Sequence, residues 1–254
     1  MADRGNRGSG NAGRAMPFLD HLEELRRRLF VGVLVVVAAT VVMYFFSSAV
    51  LAFLERPLNG TKLVGFGPVD GFTIRLQLAF WSALIFTSPA WLYQILAFIL
   101  PGLTDGERRV AVPTLLSVVG LFLCGAGAGY LLLSPTMGFL LSQYGPNIQY
   151  LPGITKYVNM ALFMMVALGA AFEFPVVMVL TMRLGLVPPS RYRRSRKVAY
   201  FILFSFAELI TPVADPIVMP LLVFLPLLVL YEVTLRIGTR LARNAEQEPA
   251  DAAA

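Results

Sequence analysis

The residues of this chain with chemistry to offer are acids placed where an apolar sequence makes them conspicuous. Glu24 lies in Phe18-Leu19-Asp20-His21-Leu22-Glu23-Glu24-Leu25-Arg26-Arg27-Arg28. Here Leu19, Leu22, Leu25 and Leu29 recur at helical spacing, with carboxylates and then guanidiniums on the other face. At i,i+4 Glu24 is spaced to pair with Arg28, worth about 0.2–0.5 kcal/mol. The same carboxylate could instead receive a cationic ligand at the membrane surface. His21 reads as a helix-start or interfacial residue. Glu107 follows the turn signal Asp105-Gly106 and falls near the start of the next helix, where an acid also suits the helix dipole. Glu173 lies in Ala171-Phe172-Glu173-Phe174-Pro175, well inside an apolar run. An ionisable group at such a position costs about 2.5–3.5 kcal/mol on insertion scales, so it must face a wet or protein-lined cavity or carry a proton. Pro175 predicts a bent helix with freed carbonyls there. Gln94, beyond the bend expected at Pro89, could hydrogen-bond within a site or to a neighbouring helix. Glu208 and Asp215 lie closer to water.

The elements that must position these groups are apolar helices. The sequence is 57% hydrophobic and 14% charged, with a mean hydropathy of +0.71; a soluble domain would carry roughly 25% charged residues. About 20 apolar residues cross the hydrocarbon core, and six runs qualify or come near: Leu29–Leu51, Ile74–Ile99, Val110–Leu133, Val158–Leu184, Val198–Ile210 and Ile217–Ile237. The fifth is short and ends at Thr211-Pro212, since proline cannot continue a helix. It either crosses a thinned bilayer or forms one arm of a hairpin packed in protein. The expected fold is therefore an all-α integral membrane protein of six transmembrane helices. Residues 1–16 and 238–254 are expected to be disordered cytoplasmic tails around a core of residues 17–237, and the first tail lacks the apolar centre of a cleavable signal. The segment Leu51–Phe72, with Pro57 as a helix terminator, forms the largest outer loop and suits an ordered cap.

Six crossings leave four basic residues, Arg56, Lys62, Arg75 and Lys156, on one side and the other seventeen of 21 opposite. The positive-inside rule then puts both termini in the cytoplasm. The net charge of +6 reflects this topology and gives no reason to expect nucleic acid. Phosphate-loop, serine-elbow and zinc-protease signatures are absent, and the single histidine excludes metal sites built on several imidazoles. An enzyme is not expected, nor a metal or cofactor. Gly125 and Gly129 form a small-xxx-small pair suited to close helix packing.

These residues carry a family resemblance. His21-Leu22-Glu23-Glu24-Leu25-Arg26-Arg27-Arg28 closely resembles the H-x-x-E-L-R-x-R opening of the TatC family, the multispanning subunit of the twin-arginine protein translocase. The match continues in order through Ser88-Pro89-Ala90-Trp91-Leu92-Tyr93-Gln94, Ala97-Phe98-Ile99-Leu100-Pro101-Gly102-Leu103 and Glu107-Arg108-Arg109. It resumes at Phe172-Glu173-Phe174-Pro175, Thr211-Pro212 with Asp215, and Pro226 with Glu232. After Asp215 the chain departs from the pattern, reading Pro216-Ile217-Val218-Met219-Pro220 where more polar residues are expected.

The resemblance implies a glove-shaped, concave protein of the cytoplasmic membrane. It would act as signal-peptide receptor and core subunit for proton-motive-force-driven export of folded proteins. It assigns signal-peptide binding to Glu24 and Glu107, with Arg26, Phe98 and Leu103 beside them, and Gln94 joins that site on its position alone. Glu173 becomes the intramembrane polar residue, and Pro57 and Asp215 outer-loop or partner contacts. The implied partners are twin-arginine signal peptides, single-span proteins of the TatA and TatB type, the lipid bilayer and further copies of the chain. The rival is a proton-coupled secondary transporter of a small solute, with Glu173 as proton carrier.

Overall fold

With no proline between Phe18 and Arg56, nothing interrupts the join between the amphipathic start and the first apolar run. Both form one helix, α1 (Phe18–Glu55), about 57 Å long at 1.5 Å per residue. Sequence reading expects instead a short surface helix preceding a separate span. The leucine spacing of that start is equally satisfied by continuing the helix, which exceeds the roughly 30 Å of hydrocarbon and carries its charged turns beyond it. The computed structural model describes residues 18–58, 60–99, 111–144, 151–183, 185–211 and 217–251. Glu107, Leu103 and Asp215 lie outside the described residues, as does the tail 1–16.

After a 3-10 turn at Arg56–Leu58 come α2 (Asp70–Phe86), α3 (Ser88–Ile99) and α4 (Ala111–Ser142). These are followed by α5 (Ile154–Ala171), α6 (Phe174–Arg183), the short α7 (Pro189–Arg194), α8 (Arg196–Ile210) and α9 (Val218–Asp251). The backbone of α9 is thus helical through residues 238–251, where composition suggests disorder. Among the described residues, four stretches are long and apolar enough to cross a membrane: His21–Leu58, Pro113–Ser142, Ile154–Met182 and Val218–Arg240.

Two of the expected runs are broken at proline. Pro89 has no N–H to give the previous turn, and the second run divides into α2 and α3 at Thr87. The Trp91 indole N–H donates to the Leu84 carbonyl at 2.9 Å, satisfying an acceptor at this break. Pro175 likewise deprives the Ala171 carbonyl of its helical donor, and α5 gives way to α6 across Phe172 and Glu173.

α1 packs along α2 and α3, α4 along α5, and α9 against α6 and α8. The contact between α4 and α5 is closest at the glycines. A Cβ on Gly125 would lie 2.5 Å from the Leu168 carbonyl oxygen, and one on Gly129 2.7 Å from Met165 Cα. One apolar cluster joins Leu54, Leu58, Leu78, Leu133, Tyr157 and Leu162. A second joins Leu168, Met178, Leu203, Ile210, Leu227 and Tyr231.

The segment after α1 is ordered by polar contacts. The Val64 N–H donates to Pro152 O at 3.1 Å and the Ile154 N–H to Val64 O at 2.9 Å. One Asp70 carboxylate oxygen accepts from the Phe66 and Gly67 N–H groups. Tyr157 and Tyr130 donate to the carbonyls of Leu54 and Phe53 at the end of α1. Pro57 sits half-buried in the 3-10 turn that terminates the helix, and Leu58 beside it is buried.

Candidate functional site

His21, Glu24 and Arg28 are spaced i, i+3, i+7 and share one face of α1; all three are partly buried. The Arg28 Nε and Nη2 groups both donate to Glu24 Oε1, at 2.9 and 2.6 Å. The pairing read from the i,i+4 spacing is therefore made. It occupies only one carboxylate oxygen. Glu24 Oε2 is buried and, among the described residues, has no hydrogen-bond partner. A buried acceptor without a partner costs about 1–3 kcal/mol, and more where charged, so this oxygen is the unspent valence of the site.

The neighbouring helix completes the surroundings. The His21 ring stacks on Phe98 with centroids 4.2 Å apart and planes 15° from parallel, which joins the start of α1 to the end of α3. Between α1 and α2–α3 runs an apolar groove of about 360 Å³, lined by Leu25, Arg28, Leu29, Trp91, Gln94 and Phe98, among others. The helices are in contact at Gly32, where a Cβ would stand at an ordinary van der Waals distance of 3.6 Å from Trp91 Cβ. Trp91 in turn packs edge-on against Phe122 of α4 at 5.3 Å. A carboxylate held by Arg28, which itself lines an apolar groove, is suited to a segment that is cationic at one end and hydrophobic along its length.

Of the residues singled out from sequence, the structure brings Gln94 and Phe98 to this groove, and Glu24 is joined to it through Arg28. Arg26 lies on the exposed side of α1, away from it. Pro57 is at the opposite end of α1. Glu173 sits in the break between α5 and α6, partly buried, with Oε1 buried and without a partner among the described residues. His21, Arg28 and Trp91 were not assigned to the site by sequence reading. The first two could have been found from the i, i+3, i+7 spacing with Glu24, whereas Trp91 carries no sequence signal for its place.

Known proteins resemble this chain over most of its length. The family profile described as Sec-independent protein translocase protein (TatC) matches residues 20–226. The chain is 34% identical over 254 residues to the Sec-independent protein translocase protein TatC of Frankia casuarinae, covering 92% of this chain and 70% of that one. It is 31% identical over 239 residues to TatCy of Bacillus subtilis (92% and 93% covered). To TatC of Deinococcus radiodurans it is 34% identical over 246 residues (92% and 91% covered). Among solved structures, the crystal structure of the twin arginine translocase receptor TatC in DDM superposes with a TM-score of 0.76 at 29% identity, covering 86% of this chain and 99% of that one.

Proposed function

Because this chain belongs to the TatC family of Sec-independent protein translocase proteins, we propose that it is the signal-peptide receptor and core subunit of a twin-arginine translocase, exporting folded proteins across the cytoplasmic membrane with the proton motive force. The observation that carries the reading is the buried Oε2 of Glu24, without a partner among the described residues, on a carboxylate held by Arg28 of the apolar groove. Twin arginines are permanently charged planar forks that prefer carboxylates. The apolar part of a signal peptide would lie along Leu25, Leu29 and Phe98. Glu107 supplies the second acid for the signal peptide, and Leu103 and Arg26 contribute further contacts to it. Exposed ion pairs contribute only about 0.2–1 kcal/mol, so the partial burial of Glu24 and the groove are what make affinity available.

The protein works as six spans in a concave arrangement with both termini cytoplasmic. It partners TatA- and TatB-type single-span proteins and further copies of itself, with Pro57 and Asp215 on the outer side. Glu173 is the intramembrane polar residue of translocation. The bridge between Val64 and Gly153 supports this topology, because it requires the segments after α1 and after α4 to lie on one side.

The test is photocrosslinking of a twin-arginine signal peptide to the protein in membranes. Glu24→Ala combined with Glu107→Ala should abolish the crosslink, and undiminished crosslinking in that double variant would sink the site assignment. A proton-coupled solute transporter with Glu173 as carrier predicts solute flux in proteoliposomes containing this chain alone; the translocase reading predicts none.

A further inference from the structure

The turn from α7 into α8 places Arg191, Arg193, Arg194, Arg196 and Lys197 in one short stretch. One of these is already spent. Arg196 donates to Glu232 Oε2 at 3.0 Å, and the other Glu232 oxygen accepts from the Tyr200 hydroxyl at 2.6 Å. The nearby acid of α9 is thus fully engaged. Arg191, Arg193, Arg194 and Lys197 are exposed, and among the described residues none has an ion-pair partner.

The backbone that carries them is pinned from below. Tyr231, wholly buried in α9, donates its hydroxyl to the Tyr192 carbonyl at 2.8 Å. The Tyr192 hydroxyl lies 2.8 Å from Thr181 Oγ1 of α6. Pro188 precedes the first turn of α7 in extended conformation. Four unpaired cations are therefore presented from a fixed platform between two apolar helices. Beside them Leu186, Val198, Phe201 and Ile202 are all exposed.

We infer that α7 and the start of α8 form a docking site for the headgroups of anionic phospholipids, whose acyl chains lie against Val198, Phe201 and Ile202. The preference for positive charge on one side of a membrane accounts for where the cations are. It does not account for their being held by a buried tyrosine and left without counter-charges. A phospholipid satisfies both halves of the surface, phosphate for the guanidiniums and hydrocarbon for their neighbours. An acidic polypeptide or a free phosphate would satisfy only the first. Clusters of four or more cations just beyond a transmembrane helix attract anionic lipid with roughly fivefold preference for each charge engaged.

The experiment uses the full chain in nanodiscs made of phosphatidylglycerol and phosphatidylcholine in equal parts, with spin-labelled forms of each lipid reporting the motionally restricted fraction. The wild-type protein should restrict phosphatidylglycerol several-fold more than phosphatidylcholine, and added salt should reduce the difference. The variant R191Q/R193Q/R194Q/K197Q should lose most of that preference, whereas R191K/R193K/R194K, which keeps the charge, should retain it. The outer-side variant R75Q/K156Q should behave as wild type. Three results would overturn the inference. The glutamine variant could keep the full preference, with its loss seen instead in binding to polyglutamate, which would make the patch a protein-docking surface. The lysine variant could lose the preference alongside the glutamine variant, which would assign the effect to local folding. The outer-side variant could lose as much as the glutamine variant, which would assign it to net charge.

Discussion

The two oxygens of Glu24 stand in different surroundings. Oε1 is held by Arg28 through two N–H groups, which fixes the carboxylate plane and leaves the buried Oε2 without a partner among the described residues. A second guanidinium arriving there meets an acceptor already oriented and already stripped of water. Hydrogen bonds to charged groups contribute about 1.5–3 kcal/mol, so Glu24→Gln should weaken binding of a twin-arginine peptide by about ten- to hundredfold. Fluorescence anisotropy of a labelled peptide against the purified protein measures this. A twin-lysine peptide, lacking the fork, should bind the wild type more weakly and lose less on the same substitution; equal losses would argue against fork recognition. Sequence spacing gave access to half of this arrangement. The i,i+4 pair with Arg28 is local and could be read directly. The stacking of His21 on Phe98 joins residues far apart in sequence, and no periodicity reports it.

At the level of the helices, local chemistry was legible wherever a residue type forces the backbone. Pro89 and Pro175 predicted the bends at Thr87 and at Phe172–Glu173, and the spacing of Gly125 and Gly129 predicted a close helix contact, found against α5. The continuity of α1 was not legible. Leucines at helical spacing followed by arginines describe a surface helix and the overhanging end of a long one equally well. The glycine contact yields a contrast between neighbouring positions. A methyl on Gly125 would meet the Leu168 carbonyl oxygen at 2.5 Å and Gly169 Cα at 2.9 Å, both backbone atoms that can yield only if the helices separate. Gly125→Ala should therefore destabilise the protein by about 1–3 kcal/mol. Gly127 faces open space on the same helix, and Gly127→Ala should be neutral or stabilising by up to about 1 kcal/mol. Thermal unfolding in detergent compares the two, and a Gly125→Ala protein as stable as Gly127→Ala would refute the close contact.

For the whole molecule, the number of crossings decides where every charged surface lies. Four stretches are long enough to span on their own. If only these crossed, the chain after α4 would return to the side of the N-terminus, and the cations of α7 would face outward. That arrangement separates Val64 from Gly153 by the thickness of the membrane, yet Val64 exchanges backbone hydrogen bonds with Pro152 and Ile154 at 3.1 and 2.9 Å. It also separates Arg196 from the inner half of α9, where Glu232 receives it. Both contacts are compatible if the paired helices α2–α3 and the short α8 cross as well, the first by joining two segments at Thr87 and the second by packing against α9. Six crossings also put seventeen of the 21 basic residues on one side. The two arrangements make opposite predictions at exposed Ser142 and Ser195. In a Cys124→Ala background expressed in the cytoplasmic membrane, Ser142→Cys should react with an impermeant maleimide in intact cells, and Ser195→Cys only after lysis. The reverse pattern would favour four crossings and would place the cations of α7 against the outer leaflet.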